Sequence, residues 1–416
     1  MPEHTDPASK HPGDHFRELR RRRGFTQERL AERAGVSLGV VKKLERGGTA
    51  RLPTYHALAR ALGVRTSALF DPAGPHASTR GDDDNIDLMP LRQALAPAVS
   101  CTGRLPVRAD RFGEPDLPNL QATAREVGVA YHQDRYDEVA DLLPGLVHAA
   151  HDAVRHFDNG PEQTTALGVR SDVLQMAGRY LTQVRAYDLA HTALRDAIAD
   201  AMKINDMGAV AAAVYQQGWL LMRQGRLDEA EQVSVVTADA IEPRISRATR
   251  QGLGAWGKLL VHASAAAARN NRPREAREIL RLGRTAGAAL GGGQVLAVSS
   301  WGTFDWRTVA FQGIENQLVA QRPDRVIALS ERMPAPTDTK GRLFQRRHLL
   351  DVAQANVMLH RPDDATDILW SLMDETPEWL RHQRMAADTF HDALGASKRR
   401  RLTAKQRDLT TFFGVQ

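Results

Sequence analysis

The sequence predicts an all-α protein built from a small helical head and a long body of paired helices. Ala, Arg and Leu are plentiful, whereas the alternation of Val, Ile and Thr that marks β-strands is nearly absent. Apolar stripes with helical spacing run through residues 14–70, and one turn motif recurs at intervals of 39 to 50 residues further on. A chain of 416 residues exceeds one compact core, so more than one domain is expected.

Positive charge is concentrated in one short segment. Residues 14–70 contain 13 Lys and Arg against five Asp and Glu, a surplus larger than the net charge of +6 on the whole chain. Such clustering is the electrostatic footprint of a protein that contacts nucleic acid. The alternative is a chance cluster in a chain that is rich in arginine throughout.

Five short helices are predicted within this segment, each identified by an apolar stripe or a capping residue. Gly35 supplies a tight turn between the second and third helices, and the small Ala31 lets these two helices cross closely. Together they form a helix-turn-helix unit. The predicted helices are 16–23, 27–34 capped by Thr26, 38–46 capped by Ser37, 54–62, and a short fifth helix capped by Thr66.

A gap-free series of residues in the head matches a known pattern. The series is Leu19-Arg20, Gly24-Phe25-Thr26-Gln27, Leu30-Ala31, Gly35-Val36-Ser37, Val41, Leu44-Glu45-Arg46-Gly47, Ala57-Leu58-Ala59 and Ala61-Leu62-Gly63-Val64. Over about 55 residues it resembles the Cro and phage-repressor family of helix-turn-helix regulators, the XRE family. The resemblance implies a five-helix, lambda-repressor-like domain over residues 14–70. It also implies a homodimer on palindromic double-stranded DNA, because one such domain reads one half-site.

The resemblance further implies which residues contact DNA. Gln27 would clamp a phosphate from the start of the second helix, whereas Lys43 would reach base edges in the major groove. Leu38 and Gly39 would also face the bases, but they cannot form bidentate hydrogen bonds, which indicates modest specificity or reading of DNA shape. The predicted DNA-binding residues are Thr26, Gln27, Ser37, Leu38, Gly39, Lys43 and, on the phosphate backbone, Lys42 or Arg51.

Not every basic residue of the head is assigned to DNA. In the family, the equivalents of Arg20 and Glu45 pair with each other, which implies a structural salt bridge here. The run from Arg21 to Arg23 has two interpretations: these residues contact phosphates, or they form a solvated helix face.

The segment after the head is predicted to be a linker. Residues 71–118 contain several prolines and little helical periodicity, apart from one short helix between Leu88 and Val99. Residues 1–13 are predicted to be disordered. Residues 119–416 are predicted to form a helical-repeat sensor and dimerisation domain.

A turn motif that begins with arginine recurs through residues 119–416. Each copy separates two helical stretches and carries Val, Leu or Ala four residues after the arginine. Small residues are common eight positions before it, as closely packed helix pairs require. The pattern resembles degenerate tetratricopeptide (TPR) repeats and predicts an α-solenoid of TPR-like helix pairs. The motif arginines are Arg135, Arg185, Arg226, Arg272, Arg322 and Arg361.

The first helices of the pairs are predicted to line a concave surface. Aromatic and charged side chains on these helices indicate a ligand groove. In the alternative interpretation, the rings pack between helices and the charges are solvated. The candidate ligand-binding residues are Tyr215, Trp219, Arg223, Lys258, Glu315, Arg347 and Gln354.

Signals for catalysis, metals and membranes are weak. The run from Gly252 to Gly257 matches the GxGxxG nucleotide pattern, but it lies in a predicted helical repeat with no preceding strand. Histidines lack metal-ligand spacing and are interpreted as helix-surface residues, and Cys101 is the single cysteine. No enzyme activity and no cofactor are expected. The polar N-terminus and the lack of a long apolar stretch predict a cytoplasmic protein without membrane contact.

Two functional hypotheses follow. The first is a ligand-responsive transcriptional regulator whose body binds a signalling peptide or a small molecule and thereby alters its DNA-binding heads. This architecture resembles the peptide-sensing quorum regulators of Gram-positive bacteria. The second is an adaptor whose repeats recruit a protein partner to DNA. An enclosed groove would favour the first hypothesis, and an open, flat one the second.

Overall fold

The chain folds almost entirely into helices, which confirms the predicted all-α class. The computed structural model describes residues 12–69, 88–101, 103–104, 115–291, 295–296, 303–334, 342–397 and 401–414. Residues 1–11, most of the segment predicted to be disordered, lie outside the described residues. Strands within the described ranges form two short antiparallel pairs, β1 (Val99–Ser100) with β2 (Gly103–Arg104) and β3 (Val295–Leu296) with β4 (Thr303–Phe304).

The head consists of α1 (Pro12–Arg22), α2 (Gln27–Ala34), α3 (Leu38–Glu45), α4 (Leu52–Leu62) and a 3-10 turn (Thr66–Leu69). The second and third helices lie where they were predicted. α4 begins two residues earlier than predicted, because Pro53 fits the first turn of a helix. The predicted fifth helix is only the 3-10 turn.

Apolar side chains from all four head helices meet in one core. Phe16 of α1, Leu30 of α2, Val41 of α3 and Leu58 of α4 are at most 3% exposed. Gly35 ends α2 in the left-handed conformation with a φ of 64°, which glycine adopts without strain. The resulting turn sets α3 against α2, as expected of a helix-turn-helix unit.

Part of the predicted linker is packed structure. The helix α5 (Met89–Leu95) buries Leu91, Ala94 and Leu95 in the core of the body. Residues 70–87, 102 and 105–114 lie outside the described residues. The packed body therefore includes residues that precede position 119.

The body is a series of helices in which neighbours along the chain pack together. From α6 to α17, each even-numbered helix contacts the odd-numbered helix that follows it, and also the even-numbered helix on either side. The body helices are α6 (Leu117–His132), α7 (Tyr136–His156), α8 (Gly160–Gln183), α9 (Tyr187–Lys203), α10 (Met207–Arg223), α11 (Leu227–Ala240), α12 (Arg250–Arg269), α13 (Pro273–Ala289), α14 (Trp306–Val319), α15 (Pro323–Ser330), α16 (Arg342–Met358), α17 (Pro362–Glu375), α18 (Pro377–Arg381), α19 (Arg384–Ala396) and α20 (Ala404–Phe413).

The recurring turn motif lies between the two helices of each pair. Five of its six arginines immediately precede an odd-numbered helix, and Arg185 lies one residue earlier relative to α9. In those five copies the residue before the arginine has a positive φ, which reverses the chain within a few residues. The Val, Leu or Ala four positions after each arginine is at most 5% exposed. The motif is therefore the turn of a helix pair that repeats through the body.

Three contacts join the first helices of the body to helices near its end. Arg346 of α16 forms an ion pair at 3.0 Å with Asp134, which lies in the turn after α6. The ring centroid of His382, just after α18, lies 5.0 Å from that of Tyr136. The side-chain amide of Gln183, in α8, donates a hydrogen bond to the carbonyl of His382 at 3.4 Å. Residues more than 190 positions apart therefore meet in the body.

Candidate nucleic-acid interface and ligand groove

One face of α3 is a basic, exposed stripe. Gly39, Lys42, Lys43 and Arg46 are all exposed and follow helical spacing, while Val41, Leu44 and Glu45 are buried on the opposite face. These residues are exposed even though the head packs on the body. The stripe is therefore accessible to DNA in this arrangement.

A buried carboxylate holds α3 against α1 and α2. Glu45 is 4% exposed and accepts hydrogen bonds from Arg20 Nε at 2.5 Å and from Gln27 Nε2 at 2.5 Å. Arg20 also donates to the carbonyl of Phe25 at 2.6 Å. Burial raises the pKa of Glu45, but the hydrogen bonds from Arg20 and Gln27 outweigh it and lower the pKa overall. The expected Arg20–Glu45 salt bridge is confirmed.

The first turn of α2 is occupied by contacts within the head. Thr26 caps α2, since its hydroxyl accepts a hydrogen bond from the backbone N–H of Arg29 at 3.1 Å. Gln27, predicted to clamp a phosphate, donates one N–H of its side-chain amide to Glu45. The amide carries a second N–H, which a phosphate contact would use.

The residues at the start of α3 differ in their surroundings. Ser37 is exposed at the N-cap position but makes no capping hydrogen bond through its side chain, contrary to prediction. Leu38 is half-buried and packs against the head core, so only part of it is available to a base. Arg46 belongs to the same exposed stripe, although it was not among the predicted DNA-binding residues. Its helical spacing from Gly39, Lys42 and Lys43 is the sequence signal that could have identified it.

The head also contacts the body, mainly through residues of α4 and its flanks. Arg51, predicted to lie on the DNA backbone, is engaged in one of these contacts. The contacts are Arg51–Asp388 (3.1 Å), Arg60 Nη1 to the carbonyl of Val319 (3.3 Å), Arg65–Asp228 (3.2 Å) and Asn271 Nδ2 to the carbonyl of Val64 (3.2 Å).

Three of the predicted groove residues form a line along α10. Tyr215, Trp219 and Arg223 follow one another at four-residue intervals, are half-buried, and share one face of the helix. The guanidinium of Arg223 lies 5.3 Å from the ring centroid of Trp219. Lys258 of the neighbouring α12, only 2% exposed, places Nζ 5.1 Å from the ring centroid of Tyr215. The structure thus brings these four candidates together.

Two other candidates, Glu315 of α14 and Arg347 of α16, belong to an ionic cluster. Glu315 pairs with Arg269 and, at 3.0 Å, with Arg347, which also pairs with Asp351 at 3.1 Å. Although burial raises the pKa of Glu315, the two arginines lower it overall. Gln354 lies further along α16 and makes no hydrogen bond with a described residue.

Several histidines are buried, contrary to the prediction that they lie on helix surfaces. His262 of α12 is 3% exposed, and its ring lies 5.0 Å from that of Tyr215 and 6.3 Å from that of Trp219. His56 and His348 are also buried. His262 was not a predicted groove residue. It lies four residues after Lys258 on α12, and this spacing is the sequence signal that could have identified it. The described residues contain no group of three or more side chains suited to hold a metal ion.

The glycine pattern from 252 to 257 lies within α12 and not after a strand. A Cβ at Gly257 would overlap the ring of Phe304. Close packing between elements therefore accounts for Gly257, in agreement with rejection of a nucleotide site.

Comparisons with known proteins agree with the geometry of the head. Residues 13–72 match the family model of a helix-turn-helix domain. Neither the curated proteins nor the solved structures give a match to this chain. No helix in the described ranges is long and apolar enough to cross a membrane. The chain thus carries an N-terminal helix-turn-helix domain, which indicates a DNA-binding regulator, followed by a large helical body.

Proposed function

We propose that the protein is a ligand-responsive transcriptional regulator that binds operator DNA through α3. The observation that carries the proposal is the exposed basic stripe of Gly39, Lys42, Lys43 and Arg46 on the second helix of the helix-turn-helix unit. A helix enters the major groove of B-DNA, and lysine or arginine side chains there bind guanine edges or phosphates. The missing side chain of Gly39 allows α3 to approach the bases closely.

The proposed active form is a homodimer on a palindromic operator in the cytoplasm. One head presents one reading helix and therefore covers one half-site. Two heads in one dimer double the contact area and the number of neutralised phosphates.

The body is proposed to be a TPR-like solenoid that senses a peptide or a small molecule and has no catalytic role. Support comes from the paired helices and from the aromatic and charged face of α10 and α12. Aromatic and charged side chains gathered on two neighbouring helices suit a small ligand better than a broad protein surface. This grouping favours the sensor over the adaptor.

Salt-dependent DNA binding tests the proposal. Full-length protein is titrated with DNA from upstream of its own gene, and binding is followed by fluorescence anisotropy at several salt concentrations. We expect Lys43→Ala to weaken binding by about tenfold or more if Lys43 contacts a base. Lys42→Ala is expected to reduce the slope of log K against log salt by about one, through loss of one phosphate contact.

The matched control is Lys203→Ala, because Lys203 is also exposed in the last turn of a helix, but on the body. It should bind DNA like the unmodified protein. Equal losses for Lys203→Ala and Lys43→Ala would mean that general positive charge, and not the α3 stripe, binds DNA. A second protein that joins the DNA complex through the body would favour the adaptor.

A further inference from the structure

Two cations of the groove lie over aromatic rings. Arg223 lies 5.3 Å from the centroid of Trp219, and Lys258 lies 5.1 Å from the centroid of Tyr215. The two rings are neighbours on the same face of α10, and Lys258 comes from the adjacent α12. Ring faces are electron-rich and attract a cation. The N–H donors of a guanidinium lie in its own plane, and a ring face below that plane accepts no hydrogen bond from them.

The donors of Arg223 have no acceptor among the described residues. Its guanidinium lies over the face of Trp219, and Arg185 and Arg347 add like charge nearby. The side chain is half-buried, and a cation in such a place gains from an anion that pairs with it. A ligand that supplies oxygen acceptors would satisfy Arg223.

A second polar group in the same place also lacks a partner. The Nδ1 atom of His262 lies 3.4 Å from Ser234 Oγ, whereas Nε2 is buried and has no hydrogen-bond partner. The His262 ring lies beside the rings of both Tyr215 and Trp219. The unsatisfied nitrogen and the unsatisfied guanidinium therefore belong to one cluster.

Positive charge is not neutralised equally across the groove. Arg269 at the end of α12 and Arg347 of α16 share Glu315 of α14, and Asp351 of α16 provides a second carboxylate. On α10, Arg223 has no such partner in the described chain. Burial, followed by the charge of Arg179 on α8, lowers the pKa of Lys258, and the carboxylate of Asp305 opposes this only in part. This face is therefore complementary to an anion.

We propose that the α10–α12 face is a binding site for an anionic ligand that carries a flat, aromatic group. Its carboxylate or phosphate binds Arg223 and Lys258, and its flat group packs on Tyr215 and Trp219. The inference rests on the proposed function, since it assigns the chemistry of the ligand that the body would sense. A free C-terminal carboxylate of a short peptide and an acid group of a small molecule share this chemistry.

The test compares two fluorescent probes that differ mainly in charge. One is 8-anilinonaphthalene-1-sulfonate, an aromatic anion, and the other is N-phenyl-1-naphthylamine, its uncharged analogue. Each is titrated into the full-length protein and into Arg223→Gln and Lys258→Met. We expect each substitution to weaken binding of the sulfonate by about tenfold or more, because a hydrogen bond to a charged group is lost. Binding of the neutral probe should change little.

Two matched controls come from cation–ring pairs elsewhere in the chain. Lys405 lies 5.1 Å from the ring of Trp370, and Arg381 lies 5.6 Å from the ring of Phe412. Lys405→Met and Arg381→Gln should bind the sulfonate like the unmodified protein. Equal loss in these controls, parallel loss of both probes, or unchanged affinity in Arg223→Gln and Lys258→Met would overturn the proposal.

Competition identifies the acid group. Benzoate and phenyl phosphate are added to the complex with the sulfonate probe. Displacement by benzoate indicates a carboxylate ligand, and displacement by phenyl phosphate indicates a phosphate ligand; either outcome supports the proposal. Displacement by neither overturns it.

DNA binding by the same variants separates this inference from the proposed function. Circular dichroism first verifies that each variant retains its helix content and unfolds cooperatively. If the unmodified protein binds the sulfonate through Arg223 but binds no DNA, the regulator proposal fails and the anion site stands. If it binds DNA but the sulfonate binds independently of Arg223 and Lys258, the regulator proposal stands and the anion site fails.

Discussion

At the scale of single residues, Glu45 organises the DNA-binding head. It lies at the end of α3 and is bonded to Arg20 of α1 and to Gln27 of α2, so one carboxylate links three helices. Because Glu45 and Arg20 are both buried, loss of one charge leaves the other without compensation. The orientation of the basic stripe on α3 therefore depends on a residue that does not itself face DNA.

Replacement of Glu45 by Gln is expected to destabilise the head by about 3 kcal/mol, because Arg20 keeps a buried charge without a counter-charge. Hydrogen exchange followed by mass spectrometry measures this as faster exchange of amides in α1 to α3. The control is Glu18→Gln, since Glu18 pairs with Arg22 at an exposed site and its loss should have little effect. Similar exchange in both variants would contradict a special role of Glu45.

Lys258 is expected to make anion binding depend on pH. Burial, followed by the charge of Arg179, lowers the pKa of Lys258 to about 7, so its positive charge is lost as the pH rises above that value. Affinity for the sulfonate probe should fall between about pH 6 and about pH 9. The midpoint with bound probe should lie above 7, because an anion stabilises the protonated amine.

The control for this titration is Lys258→Arg, whose guanidinium stays protonated and should retain affinity at high pH. The groups that face Lys258 are Tyr215 on α10, Arg179 on α8, His132 on α6, Asp305 before α14 and His262 on its own helix. Burial raises the pKa of Tyr215 and lowers those of His132 and His262 to about 4 and about 3, so none of the three should titrate in this range. The same pH profile in Lys258→Arg would assign the dependence to another group.

At the scale of elements, glycines permit α10 to pack closely on α12, and α12 on β4. A Cβ at Gly218 would lie 2.7 Å from the ring of His262, and one at Gly257 would overlap the ring of Phe304. Both helices are buried along most of their length, so neighbouring groups have little room to move. The groove therefore owes its shape to residues that would not contact the ligand.

Gly257→Ala is expected to destabilise the body by about 2 kcal/mol through overpacking against Phe304. Urea unfolding monitored by tryptophan fluorescence measures this, since Trp256 is adjacent and 4% exposed. The control is Gly145→Ala, at an exposed site in α7 with nothing within 4 Å of the added carbon. There alanine should stabilise the helix by about 0.5–1 kcal/mol. A neutral Gly257→Ala would show that Phe304 shifts without cost.

At the scale of the whole molecule, the head contacts the body through Arg51, a residue also predicted to contact DNA. Arg51 pairs with Asp388 of α19, which also lies 3.7 Å from Arg384. The basic stripe of α3 remains exposed in the same arrangement. Binding of Arg51 to a phosphate and its binding to Asp388 would therefore compete.

Asp388→Asn is expected to tighten DNA binding, because it releases Arg51 and removes a negative charge next to the DNA-binding face. The gain should not exceed about fivefold, since a partly exposed salt bridge contributes at most about 1 kcal/mol. Anisotropy titrations with operator DNA provide the measurement. Asp367→Asn is the control, as Asp367 pairs with exposed Lys405 in α20. Unchanged or weaker binding by Asp388→Asn would contradict competition for Arg51.

Sequence reasoning located individual helices well, because the signals that define them are local. The cap at Thr26, the turn at Gly35 and the arginine of each turn motif act on neighbours within a few residues. It placed Tyr215, Trp219 and Arg223 on one helix face for the same reason. It did not predict that Gln27 contacts Glu45, because several side chains compete for that carboxylate only after three helices have packed.

The sequence by itself determined an all-α chain with a helix-turn-helix head, and it indicated the residues of its basic stripe. Helix periodicity and capping depend on interactions between residues close in the chain, and these are visible without a structure. Only the tertiary structure decided that Arg346 meets Asp134, that Asp388 engages Arg51, and that Arg223 has no described counter-charge. Packing determines the partner of a charged side chain, and the two residues are often hundreds of positions apart in the chain. Local sequence patterns contain no information about which distant residues will meet.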